Sequence, residues 1–252
     1  MKKQKKHTGR GYLTNAVLVL CLLVFLFSLG KLVSALGEYR QAQETYKAAA
    51  EDFTEKNTGT DKNEGEESKL PRVDFDKLKA VNEDIIGWIY IEGIDVSYPI
   101  LKGESNQEYL FSSYEKKYLV AGSIFADYRC SGDFREEHTV IYGHNMHDGS
   151  MFGRLDKYAD EKFRKDNPDV YIILPDRVLG YKITEAKKVS IKDEIYKLPA
   201  PATEGEVGEQ LILSTCTEDS SDEYRFILVC KINHSEQKTT TQNIALETEP
   251  EL

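Results

Sequence analysis

The first feature of the chain is an apolar run. Residues 16–29 read AVLVLCLLVFLFSL, with Ser28 the single polar side chain, and the apolar character continues past Lys31 to Leu36. About 20 such residues, at roughly 1.5 Å each, span a bilayer core about 30 Å thick. The pattern predicts one membrane-spanning signal-anchor over residues 13–36, with a long Lys31 side chain able to reach the headgroups. From Gly37 the chain turns polar. Residues 37–72 read as a spacer: Tyr39–Phe53 is rich in Ala, Gln and Glu and predicts a helix, whereas Asn57–Ser68 has no apolar side chain and predicts a flexible segment. The tail 235–252 has the same polar character and predicts disorder. One folded domain is expected over residues 73–234.

Within that domain, short β-rich apolar runs dominate. Ile85–Ile91 (IIGWIYI) and Val96–Leu101 flank Glu92–Asp95 at hairpin-like spacing. Ser123–Ala126 and Thr139–Tyr142 follow. Val170–Leu174 meets Val178–Thr184 across Pro175-Asp176-Arg177, and Gln210–Ser214 and Phe226–Ile232 come last. Helical patches are short: Phe75–Val81 with Asp74 as its cap, Met151–Tyr158 with a cap among Asp148–Ser150, and Asp160–Arg164. Seven or eight strands at this spacing predict an all-β domain, a closed or nearly closed barrel.

Charge adds an orientation and excludes a partner. The first ten residues carry Lys2, Lys3, Lys5, Lys6 and Arg10 and no acid. They predict a cytoplasmic tail over residues 1–12, with everything after Leu36 facing outward. A cleaved signal peptide, ending near Val33-Ser34-Ala35, is the competing reading and also leaves the remainder outside the cytoplasm. The net charge of −10 over 252 residues argues against nucleic acid as a partner, because such affinity comes from Lys and Arg on phosphates.

Four cysteines are too few for a disulfide scaffold. Cys21 lies in the anchor, leaving Cys130, Cys216 and Cys230 outside it, an odd number that implies a free thiol. Cys230 sits in a strand-like run and reads as a packed thiol; Cys130 lies in a polar loop. Nothing in their spacing demands a bridge between these two. Cys216 ends an apolar run before a polar loop, where rigid backbone can present a nucleophile. A thiolate needs a base or cation, and His144, at the end of Thr139–Tyr142, is a candidate. Arg225 opens the last strand nine residues after Cys216. If those two strands pair antiparallel, Arg225 and Cys216 share one rim, and the Arg can stabilise an oxyanion. Each of these residues taken alone reads as an ordinary turn, loop or strand-end side chain.

Together they form a specific pattern. Leu213-Ser214-Thr215-Cys216 followed by Arg225 resembles the active-site signature of sortases, and Val140 through Met146 (VIYGHNM) resembles the sortase histidine motif. The segments Asp148–Phe152, Gly122–Arg129 and Ile86–Ile100 are similar to class B members. The resemblance runs from about Phe75 to Ile232. It implies a closed eight-stranded β-barrel with short helices and an N-terminal helical region, on a Gram-positive cell-surface transpeptidase held by one transmembrane helix. It also implies that Cys216 is the nucleophile, His144 the general acid/base and Arg225 the oxyanion-stabilising group, with Asn106, Leu110 and Ser214 lining the substrate groove. No cofactor and no metal are implied. The partners would be surface proteins bearing a C-terminal sorting signal, cleaved at a Thr carbonyl, and a peptidoglycan precursor or cross-bridge amine.

Two departures from class B stand out. The stretch between Lys182 and Leu211 is shorter than the helix-containing connection expected there, which bears on the sorting motif recognised. Thr217 stands where some members carry an acid, so no third catalytic acid is assigned; Asp127 and Glu218 are the carboxylates to consider. The alternatives are a pilin-polymerising enzyme using a lysine amine, a cysteine hydrolase, and a metal- or haem-binding surface module built on His144 and His147. The last lacks the ligand spacing of a closed zinc set.

Overall fold

Asp74 accepts a hydrogen bond from Lys77 N at 3.0 Å, which caps the short helix that begins the domain as its sequence predicts. In the computed structural model, residues 9–55, 70–198, 208–216 and 223–233 are described. The tail 235–252, the segment Asn57–Ser68 and the loop after Cys216 lie outside these residues. The elements are α1 (Gly9–Phe53), β1 (Thr54–Glu55), β2 (Arg72–Val73), α2 (Phe75–Val81), β3 (Ile85–Ile91), β4 (Val96–Leu101), β5 (Ile124–Ala126), β6 (His138–Tyr142), α3 (Glu161–Asp166), β7 (Asp169–Ile173), β8 (Val178–Ser190), β9 (Gln210–Cys216) and β10 (Tyr224–Ile232).

The chain divides into two units at Gln41/Ala42. In the first, the side chains from Val17 to Leu36 are exposed, and the helix is long and apolar enough to cross a membrane by length and composition. In the second, the last turns of α1 bury Ala42, Tyr46, Ala49 and Phe53. That spacing is one helical stripe. Tyr46 meets Tyr98 edge-on at 5.2 Å between ring centroids, and Phe53 meets Tyr114 likewise at 5.9 Å. β1 then pairs with β2. Half of the stripe is alanine, so the polar composition of Tyr39–Phe53 announces a helix without announcing its packing.

Strands β3 to β10 close into an eight-stranded barrel in the order β10-β8-β7-β3-β4-β5-β6-β9. All neighbours are antiparallel except β4–β5 and β6–β9. Its core includes Trp88, Ile89, Ile100, Ile124, Ile141, Phe152, Ile172, Tyr181, Leu213 and Leu228, all nearly fully buried. Closure leaves the barrel strands no free edge, which removes a template for aggregation.

The structure departs from the sequence pattern in two places. β8 runs to Ser190, beyond the expected end at Thr184. Its outer half carries exposed Glu185, Lys187 and Lys188 and so reads as loop, yet it pairs with β10 through a bulge at Val229/Cys230. Met151–Tyr158 is not a helix. Met151 takes φ 52°, in the left-handed region that a right-handed helix cannot continue through, and only a 3₁₀ turn forms at Leu155–Ala159. Asp148 accordingly closes a turn, accepting from Ser150 N at 2.9 Å, and caps no helix. Cys130 and Cys230, whose spacing demands no bridge, are both buried and both free.

Candidate active site

Strand register assembles the site. β6 and β9 run parallel with Tyr142 opposite Ser214, and Gly143 N donates to Ser214 O at 3.2 Å. Two residues further along each path stand His144 and Cys216. β10 runs antiparallel to β9 with Arg225 opposite Cys216. The backbones of His144, Cys216 and Arg225 therefore reach one rim of the barrel. The side chain of Cys216 lies outside the described residues, as does Glu218.

A cavity of about 450 Å³ opens at this rim. It is lined by Asn106, Leu110, His144, Ser214 and Arg225, together with Phe125, Arg129, Tyr142, Gly143, Ile191, Tyr196 and Thr215. All described side chains expected at the site thus meet at one place. The lining is aromatic and aliphatic with a few converging polar groups, the make-up of a ligand-binding cavity.

His144 is held from one side by Leu110, whose carbonyl oxygen lies 2.6 Å from Nε2. A carbonyl only accepts, so Nε2 carries a proton and Nδ1 is the basic nitrogen of the neutral ring. The Phe111 ring packs on the imidazole at 5.4 Å between centroids. Leu110 therefore contributes its backbone to His144 as well as a side chain to the cavity. Gly143 allows this approach: a Cβ there would stand 2.5 Å from Ile124 Cδ1 and 2.7 Å from Phe152 Cδ2. Arg225 is half-buried, and its Nη1 donates to Tyr224 O at 2.8 Å.

Behind the cavity lies a polar hub. Asp127, fully buried, accepts from Arg129 Nε and Nη2 at 2.8 Å each, from Asn106 Nδ2 at 2.9 Å and from Tyr142 OH at 3.0 Å. Burial raises the carboxyl's pKa, but the Arg129, Asn106 and Tyr142 bonds outweigh it and hold it below the ordinary aspartate range. The carboxylate is committed to these donors, and the orienting contact on His144 comes from Leu110. Asn106 is used at both ends, since its Oδ1 accepts from Tyr128 N at 2.9 Å.

The connection after β8 supplies the opposite wall. Its 3₁₀ turn, Glu194–Tyr196, is tied down by Arg129 Nη2 donating to Tyr196 O at 3.2 Å and by His138 Nε2 at 3.0 Å from Ile195 O. The Tyr196 ring stacks on Tyr142 at 15° between planes, and its hydroxyl lies 2.9 Å from Ser214 Oγ. Ile195, Tyr196 and Leu198 pack against a cluster of Val140, Val189, Ile212, Ile227 and Val229. Tyr142, Tyr196, Arg129 and Asp127 are the lining and hub residues that sequence reading does not single out in these roles. The Asp-x-Arg spacing at 127–129 and the aromatic two residues before His144 are the signals present for three of them; nothing local marks Tyr196.

The remaining candidates fall elsewhere. His147 is exposed. Burial pushes the Cys130 thiol up to about 12 and the Cys230 thiol higher still.

Comparison with known proteins identifies the family. A family profile described as the sortase domain matches residues 89–233, from β3 to the end of β10. Sortase B of Listeria monocytogenes is 37% identical over 159 residues, which cover 63% of this chain and 63% of that protein. Sortase B of Staphylococcus aureus is 29% identical over 152 residues, covering 60% of this chain and 59% of that protein. The chain thus matches about three fifths of the length of these curated relatives. Among solved structures, a Staphylococcus aureus sortase B–substrate complex superposes with a TM-score of 0.60 at 23% identity, covering 78% of this chain and 98% of that one. A Streptococcus pyogenes class B sortase involved in pilus biogenesis gives 0.54 at 27% identity, covering 64% and 98%. A barrel of this strand order, matched by the family profile over more than half the chain, makes this protein a member of the sortase family, similar to its class B members.

Proposed function

We propose that the protein is a membrane-anchored cysteine transpeptidase that attaches surface proteins to the cell wall of a Gram-positive bacterium. The observation that carries this reading is the register: Tyr142 opposite Ser214 and Arg225 opposite Cys216 bring the backbones of the histidine, the thiol-bearing residue and the arginine to one rim of the barrel. Cys216 Sγ, as thiolate, attacks the Thr carbonyl of a C-terminal sorting motif. Arg225 stabilises the oxyanion. His144 gives its proton to the departing amine, and the C–N bond breaks to leave a thioester. An amine of a peptidoglycan precursor or cross-bridge then attacks; His144 takes its proton, and the Cys216 thiolate leaves. The wall formed by Tyr196, Tyr142 and Ser214 contacts the motif, with Asn106 holding the groove's edge to Asp127. Residues 13–36 span the membrane, residues 1–12 remain in the cytoplasm, and the barrel faces outward.

Intact-mass analysis of the protein incubated with a library of sorting-motif peptides and candidate amines tests the reading. An adduct on Cys216 that transfers to an amine is expected, together with its loss in Cys216→Ala. Transfer retained in Cys216→Ala would overturn it. The likeness to a class B sortase described as involved in pilus biogenesis favours one second reading, in which the amine is a pilin lysine. Covalent ladders formed with a co-expressed pilin would select it.

A further inference from the structure

The end of α1 touches the backbone that holds His144. Tyr46 is buried, and its phenol proton is shared between Gly122 O at 2.5 Å and Ser123 Oγ at 3.0 Å. Ser123 in turn fixes two carbonyls of the segment that passes over the site. Its N donates to Tyr109 O at 3.0 Å, and its Oγ donates to Ser112 O at 2.7 Å. Between them lies Leu110, whose carbonyl accepts from His144 Nε2 at 2.6 Å. Gly122 is pressed against that same carbonyl: at φ 55°, a Cβ on it would collide with Leu110 O and stand 2.8 Å from Tyr109 O. The Tyr46 hydroxyl, the Gly122 peptide, the Leu110 carbonyl and the His144 ring thus form one unbroken series of contacts.

We propose that Tyr46 is a positioning residue for His144, acting through Gly122 and the Leu110 carbonyl. This deepens the function proposed above and rests on His144 being its acid/base. With the carbonyl held, Nε2 keeps its proton and Nδ1 stays the basic nitrogen. Removing the phenol oxygen leaves Gly122 O without that donor, frees the 109–112 backbone to shift, and lets the imidazole choose either tautomer. The last turns of α1 are in this view part of the catalytic apparatus as well as of its attachment.

The test uses the full-length protein in detergent micelles, labelled with ¹⁵N-histidine, and needs no substrate. The ring ¹⁵N shifts of His144, assigned by their loss in His144→Gln, report the tautomer. Iodoacetamide alkylation of Cys216 at pH 7, followed by peptide mass, reports how well the imidazole supports the thiolate. Wild type is expected as the Nε2–H tautomer. Tyr46→Phe is expected to give mixed tautomers and alkylation slower by about 2- to 10-fold, the value of one hydrogen bond. Phe53→Leu loosens the same helix against Tyr114 without touching Gly122; it is expected to lower Tm and leave both readouts at wild type. An unchanged tautomer and rate in Tyr46→Phe overturns the proposal, as does an equal change in Phe53→Leu. If peptide transfer survives in Cys216→Ala while Tyr46→Phe still shifts the tautomer, the transpeptidase reading fails and the positioning role stands.

Discussion

The hydroxyl of Tyr196 lies 2.9 Å from Ser214 Oγ, joining the connection after β8 to the strand that ends at Cys216. A residue far from the sequence motifs therefore forms part of the cavity beside the proposed reacting centre. Tyr196→Phe deletes one neutral hydrogen bond and keeps the stack on Tyr142. A fall of about 2- to 10-fold in kcat/KM for peptide transfer is expected. Tyr196→Ala also removes the ring and should cost more, chiefly through KM. Steady-state kinetics of the two variants checks the order.

Asp127 predicts an acid-sensitive stability. Its carboxyl is held below the usual range. Its contribution is complete above the unfolded-state pKa of about 3.9 and is lost as pH falls through the folded value. Asp127→Asn leaves the Arg129 guanidinium without its carboxylate. A cost of about 2–3 kcal/mol at pH 7 is expected, moderated because Arg129 is half-exposed. Urea denaturation of both proteins should show their stabilities converging between about pH 5 and pH 2.

Thiol reactivity should be sharply divided within the barrel. With its thiol near 12, Cys130 is thiolate in only roughly one molecule in ten thousand at pH 8, and Cys230 in fewer. Both should resist iodoacetamide in the native protein and react on unfolding, whereas Cys216 reacts first. Peptide mapping after timed alkylation checks this.

Gly143→Ala places a methyl 2.5 Å from Ile124 Cδ1, one residue before His144. Overpacking of about 1–3 kcal/mol is expected, and activity should fall further than stability accounts for because the histidine is displaced. Thermal unfolding and peptide transfer measured side by side separate the two losses.

The barrel strands are legible in the sequence because their apolar runs are short and separated by turn residues; Trp88 in β3 and Leu213 in β9 are buried as the pattern implies. The outer half of β8 is not, because exposed Glu185 and Lys187 carry no apolar face even while their backbone pairs with β10. The positions of His144 and Arg225 could be read from the strand ends that carry them. The Leu110 carbonyl could not, since any residue has one and only the fold aims it. Tyr46 is hidden for a related reason: its stripe depends on two alanines, which read as ordinary helix formers.

The pairing of β10 with both β8 and β9 has a consequence for biosynthesis. The strand that closes the ring is the last in chain order among the described residues, and Arg225 travels on it. A nascent or prematurely ended chain that lacks these residues has neither a sealed barrel nor its guanidinium at the rim. Closure of the barrel and arrival of Arg225 at its rim thus come only after strands β3 to β9 have been made.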